Sequence, residues 1–205
     1  MKYIDLTHKF TDSMPSYPGD PRPILQQITL ISEDGVNDHS LKTTMHIGTH
    51  IDAPAHMISN GKLISDYPIE KFFGKAIFID ARGQMTIGPE ILPKEKIKAG
   101  NVVILYTGWD KKFGNHEYFG DHPIVNNEFA DTLIELGISI LCIDFPSPDK
   151  KPYPIHQKLL RHDILIAENA TNLELLIEQK KIEIIALPLY IEADASPCRI
   201  VAKIG

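Results

Sequence analysis

The chain has 205 residues, 43% apolar and 23% charged, which is enough apolar material for a core and argues against a disordered or fibrous protein. Its formal net charge is −6, from 21 Lys and Arg against 27 Asp and Glu; with no basic block, this argues against a nucleic-acid or anionic-membrane surface. The longest apolar runs, around Val102–Tyr106 and Ile184–Ile191, fall far short of the roughly 18 residues of a membrane span.

In chain order, short Ile- and Val-rich stretches predict strands at Tyr3–Thr7, Ile24–Leu30, Leu41–Ile47 and Ala76–Asp80. Further strands are predicted at Val102–Thr107, Ile138–Ile143, Ile184–Leu187 and Ile200–Lys203. Helical turns are expected at Asp66–Phe72 and Ile155–Arg161. Longer helices are expected at Asn127–Leu136, with Gly137 as its stop, and at Asn172–Lys180 behind a Thr171 or Asn172 cap. Strands outnumber helices and do not alternate strictly with them, which predicts a mixed α/β fold. No repeat or linker divides the chain, so residues 1–205 are read as a single domain. The N-terminus has no apolar signal-peptide stretch, and Cys142 and Cys198 make no disulfide framework. Both features suggest reduced thiols and a cytoplasmic location.

Histidine is unevenly placed. His46, His50, Asp52 and His56 are separated by four, two and four residues. A helix would juxtapose His46 and His50, but Gly48, Thr49, Ile51 and Pro54 make a poor one, and Ile47 stands where a HExxH helix carries Glu. In extended chain all four residues share one parity and so one face. A straight strand would hold the His46 and His50 Cα atoms about 13 Å apart, a span across which two imidazoles can barely meet on one metal with bonds of about 2.1 Å. The chain must therefore bend, and Gly48 lies halfway. Two imidazoles and a carboxylate suit a borderline divalent ion. The competing readings are plain turn chemistry and a satisfied core histidine.

The stretch His-x-Gly-Thr-His-x-Asp-Ala-Pro-x-His, His46 to His56, resembles the signature of the metal-dependent "cyclase" hydrolases, which include bacterial kynurenine formamidase and isatin hydrolase. Pro18-Gly19-Asp20, Thr107-Gly108-Trp109, Ile143 to Asp149, Ile164 to Asn169 and Asp194 to Arg199 resemble further motifs of that family in the same order. The resemblance implies a swivelling β/β/α domain, dimeric or higher. It implies His46, His50 and Asp52 as metal ligands and His56 as proton shuttle. A later His and Glu twelve residues apart complete the family's ligand set, a spacing met by His156 and Glu168, with His162 as rival. The implied cofactor is zinc, one or two ions, with manganese as the alternative; Asp52, Glu168 and His156 would serve a second ion. The implied reaction is hydrolysis of an aryl amide, with N-formylkynurenine the leading substrate. Isatin-like cyclic amides and metal-dependent ligand binding without catalysis are the other readings. Tyr17 stands where the formamidases carry a substrate-stacking Trp, Phe145 replaces a Thr and Ala195 a Gly, so the exact substrate is left open.

Overall fold

Side chains alternate along the predicted strands, and in the central ones both faces are apolar, as strands covered on two sides require. In the computed structural model, which describes residues 1–205, the chain opens with β1 (Lys2–Asp5). The hairpin β2 (Ile24–Thr29) and β3 (Asp38–Lys42) follows, with a one-turn helix α1 (Ile31–Asp34) at its tip, then β4 (His50–Asp52). Next come β5 (Phe73–Asp80), β6 (Thr86–Ile87), β7 (Val102–Tyr106), β8 (Ile124–Val125), α2 (Asn127–Glu135) and β9 (Ile140–Ile143). The chain then forms α3 (Pro154–Arg161), β10 (Leu165–Glu168), β11 (Ile182–Pro188) and β12 (Ala195–Ile204).

Eight strands form one sheet in the order β1-β12-β11-β5-β7-β9-β10-β4, and β12 pairs with β4 as well. That last pairing closes seven strands into a ring. β1 and β4 share one edge of β12, at Val201–Ile204 and Ala195–Pro197 respectively. The neighbours β5, β7, β9 and β10 are parallel, and α2 and α3 lie in the crossovers between them. The expected mixed α/β class is the one observed. One row of strand side chains, including Ile51, Ile104, Cys142 and Ala167, packs inside the ring. The opposite row, including Leu105, Ile143 and Ile166, packs against Phe129 and Leu133 of α2 and Leu159 of α3. No helix is long and apolar enough to cross a membrane.

Local chemistry explains where the two longer helices begin. Asn126 caps α2 by accepting the Phe129 amide at 2.8 Å. Pro154 opens α3 at a position where its missing N–H costs nothing.

Two expectations need correction. The strand expected at Leu41–Ile47 is instead β3, which ends at Lys42 where its partner β2 begins at Ile24; the chain then leaves the hairpin to turn inward. The helix expected at Asn172–Lys180 is only a 3-10 turn, Leu173–Leu176. Asn172 is left-handed, with φ 59°, and its amide and the Thr171 hydroxyl both donate to Asp110 Oδ2, which holds the entry away from a helical start.

Candidate metal centre

Closure of the ring decides which residues meet. β4 lies between β10 and β12, with His50 opposite Glu168 and Pro197, and Asp52 opposite Ile166 and Ala195. Opposed residues on antiparallel strands point to one face, as do residues two apart in a strand. His50, Asp52 and Glu168 therefore share the face on which α3 packs. His156, in the first turn of α3, reaches the same point: its Nε2 is 3.1 Å from Glu168 Oε1 and 3.8 Å from Asp52 Oδ2. The cluster sits at the carboxyl end of the parallel strands, where α/β sheets place their ligand sites.

The bend expected before β4 is present. Gly48 is left-handed at φ +56°, a conformation that strains any residue with a side chain, and a Cβ there would lie 2.5 Å from Met14 Sδ and displace that side chain. The Gly48 carbonyl accepts Asn169 Nδ2–H and His50 Nδ1–H, each at 2.8 Å. That bond holds the His50 proton on Nδ1 and aims Nε2 at Asp52 Oδ1 and Glu168 Oε2, both 3.4 Å away. Burial pushes the His50 pKa down to about 4, so the ring is neutral and its Nε2 lone pair is free.

The neighbouring groups are strongly perturbed. His46 lies between two carboxylates, with Nδ1 2.9 Å from Asp52 Oδ1 and Nε2 2.8 Å from Asp194 Oδ2. Burial opposes its charge, but Asp52 and Asp194 raise it to about 9. Burial also works against ionisation of Asp52, yet His46 and His50 hold it well below the usual carboxylate range. Glu168 is pushed up to about 7, chiefly by burial. His156 donates Nδ1–H to Asp149 Oδ1 at 2.6 Å; against burial, Asp149 and Glu168 raise it to about 10. The His56 ring is half-buried, 3.9 Å from that of His46, with Nδ1 3.3 Å from Asp194 Oδ2. Its pKa is lowered, mainly by burial.

All seven residues singled out from the sequence, Tyr17, His46, His50, Asp52, His56, His156 and Glu168, line one cavity of about 280 Å³. Tyr17 stands at its wall, its hydroxyl 3.3 Å from that of Tyr153 and its ring edge-on to Phe119 at 5.6 Å. The rival His162 is exposed at the end of α3, its Nδ1 bonded to the Lys158 carbonyl. Asp149, Asn169 and Asp194 lie in stretches that the family resemblance marked but to which no role was given, and Tyr153 was not singled out at all. The motifs marked those three positions but not what they touch: the contacts of Asp149 with His156, of Asn169 with Gly48 and of Asp194 with His46 are tertiary.

Three buried atoms, His50 Nε2 and both Asp52 carboxylate oxygens, have no hydrogen-bond partner. The approach of His46 Nδ1 to Asp52 is an ionic contact rather than an aligned hydrogen bond. An unpaired buried polar atom costs about 1–3 kcal/mol, so three around one point call for a cation. The donors suit one. Those of His50, Asp52 and Glu168 lie within 4.8 Å of one another, as do those of His46, Asp52 and His56. Imidazole nitrogen with carboxylate oxygen is a set for a borderline divalent ion.

A closed mixed sheet with a His/Asp/Glu cluster at the mouth of a pocket is the framework of a metal-binding α/β protein. The chain belongs to the cyclase family: the family model described as putative cyclase matches residues 4–150. It is 32% identical to a kynurenine formamidase of Bacillus thuringiensis subsp. konkukian, covering 98% of this chain and 97% of that one. Its fold is similar to that of isatin hydrolase A from Labrenzia aggregata, with a TM-score of 0.87 at 24% identity, over 99% of this chain and 93% of the other. A potential metal-dependent hydrolase with cyclase activity superposes with a TM-score of 0.82 at 23% identity, over 98% and 96% of the two chains.

Proposed function

We propose that the chain is a metal-dependent amide hydrolase, an arylformamidase converting N-formylkynurenine to kynurenine and formate. The observation that carries this reading is the convergence of three imidazoles and two carboxylates on unpaired buried atoms, with a further histidine beside them. The full-length likeness to a kynurenine formamidase supports the substrate. His46, His50, Asp52, His156 and Glu168 hold zinc, as one ion or a close pair, with manganese as the alternative. Bound there, the ion supplies an acidified water and an electrophile for the carbonyl oxygen. The chain itself handles the proton. His56 turns Nδ1 toward Asp194, and its lowered pKa keeps it neutral, so Nε2 accepts a proton as the water oxygen bonds to the formyl carbon. The same ring passes that proton to the nitrogen as the C–N bond breaks, giving formate and the arylamine.

Elemental analysis and formylkynurenine turnover on one preparation test this. Metal-replete protein that leaves N-formylkynurenine intact would sink the reading. If it opens isatin instead, the second reading, a cyclic-amide hydrolase, takes its place; the likeness to isatin hydrolase A favours that one next. Hydrolysis of neither would leave a metal-containing binding protein.

Tyr17, Tyr153 and Phe119 form the aromatic wall that receives the aryl ring. An aromatic pair is worth about 0.5–1.5 kcal/mol beyond buried area, so Tyr17→Ala should raise KM for an aryl formamide several-fold with metal content unchanged. Tyr17→Trp should be tolerated. Unchanged kinetics in Tyr17→Ala would remove Tyr17 from the site.

The chain acts as one cyclase-like domain in the cytoplasm, where the buried, unpaired Cys142 and Cys198 stay reduced. It works as a homodimer or higher oligomer. The β2–β3 ribbon stands alone as a two-stranded sheet and leaves Ile24, Ile28, Leu30, Ile31, Val36 and Leu41 exposed. An isolated ribbon is marginal in water, and such a patch marks an association surface. Light scattering should give at least twice the chain mass, and a monomer at micromolar concentration would contradict the assembly.

A further inference from the structure

The geometry assigns Asp149 and Asp194, two carboxylates outside the ligand set, to positioning roles that divide the work of the site. Asp149 orients a ligand only, whereas Asp194 orients a ligand and the proton shuttle together. The assignment rests on the reading of the site given above.

Asp149 is buried and holds two things at once. Its Oδ1 accepts His156 Nδ1–H at 2.6 Å, and its Oδ2 accepts the Ile155 and His156 amides at 2.5 and 3.2 Å. Ring and helix start are thus clamped by one side chain, itself fixed by a bond from Ser147 Oγ to its carbonyl. With Nδ1–H committed to Asp149, His156 can present only Nε2 to Glu168 and Asp52. A carboxylate behind a ligating imidazole fixes its tautomer and raises its basicity. Asp149 makes no hydrogen bond or ion pair with His56, so it acts directly on the ligand alone.

Asp194 has a different reach. It lies in the turn between β11 and β12, and that turn is pinned. The Asp194 carbonyl accepts the Ala53 amide and the Ala193 carbonyl accepts the Ile64 amide, both at 2.9 Å. The side chain is therefore held against the His46–His56 segment although it is 40% exposed. One oxygen, Oδ2, faces His46 Nε2 at 2.8 Å and His56 Nδ1 at 3.3 Å. With a proton on each of these nitrogens, a single atom directs His46 Nδ1 toward Asp52 and His56 Nε2 toward the cavity. Removing its charge disturbs both rings; removing that of Asp149 disturbs one.

The test uses full-length Asp149→Asn and Asp194→Asn proteins with Co²⁺ as probe. Affinity is read by chelator competition and the visible Co²⁺ spectrum, and kcat and KM on N-formylkynurenine at saturating Co²⁺. Asp149→Asn should bind Co²⁺ about 10–100-fold more weakly, with a changed spectrum, while kcat at saturation falls less than about threefold. Asp194→Asn should weaken Co²⁺ and also lower kcat at saturation by about tenfold or more, with KM little changed. Because Asp149 also caps α3, Asp149→Ser serves as a second variant: serine can still accept the helix amides but falls short of the ring, so the affinity loss should persist. The assignment is overturned if folded Asp149 variants bind Co²⁺ as the parent does, or if Asp194→Asn keeps kcat within about twofold. It is also overturned if both variants lose affinity and kcat in the same proportion. Should the Co²⁺-loaded parent be inactive, the hydrolase reading fails, and the shuttle role of Asp194 with it. The Co²⁺ affinities would still decide the ligand-orienting roles.

Discussion

Replacing His56 by alanine should leave the metal in place and lower kcat by about a hundredfold or more, as loss of a general acid–base does. The structure gives reasons to expect the two effects to separate. At this site the buried atoms without a hydrogen-bond partner belong to His50 and Asp52, and none to His56. The His56 side chain is 24% exposed, so truncation opens a space that water can fill rather than an apolar void. Its Nδ1 is engaged by Asp194, which leaves one nitrogen to exchange a proton. The alternative is concrete, because His46, Asp52 and His56 also lie close enough to share an ion. Elemental analysis separates the cases: metal lost with His56 would make it a ligand, and full activity in metal-replete His56→Ala would end the shuttle role.

His50→Ala should lose both metal and activity. His50 is buried in the middle strand of the ring closure, and its free Nε2 lies between Asp52 and Glu168. Truncation removes a donor and leaves two buried carboxylates facing each other, which favours a proton over an ion between them. Changing a residue behind a ligand costs about 10–100-fold in affinity, so loss of a ligand itself should cost at least a hundredfold. Metal content after dialysis and turnover with excess metal measure this. A His50→Ala protein that stays metal-replete and active would overturn the ligand set.

The site was more legible in the sequence than the fold that builds it. His46, His50, Asp52 and His56 lie in one short stretch, so parity and the need for a bend at Gly48 could be argued locally. His156 and Glu168 were reached only through family resemblance, because spacing alone left His162 open; the structure separates the two histidines by placing one inside the first turn of α3 and the other at its exposed end. Ring closure was not legible. Nothing near Ala195–Pro197 announces a second partner strand, since Ile51 and Ser196 meet across most of the chain. The helix expected from Asn172 failed for a related reason: the apolar spacing was there, but side-chain bonds to Asp110 from a distant turn decided the backbone.

The double pairing of β12 also bears on the order of events in folding. Asn169 reaches Gly48 across 121 residues of chain, and Asp194 reaches His46 across 148. Contacts so distant must overcome loop-closure entropy before they stabilise anything, so they form late and make folding slow. A partly folded chain then carries the His46–His56 stretch without Glu168 or Asp194 beside it, and has only fragments of a coordination sphere. An ion held by the full set of His46, His50, Asp52, His156 and Glu168 would be a ligand of the finished ring. By mass action it should slow the opening of the whole barrel, and chelation should register in hydrogen exchange as faster global unfolding rather than as fraying around His50.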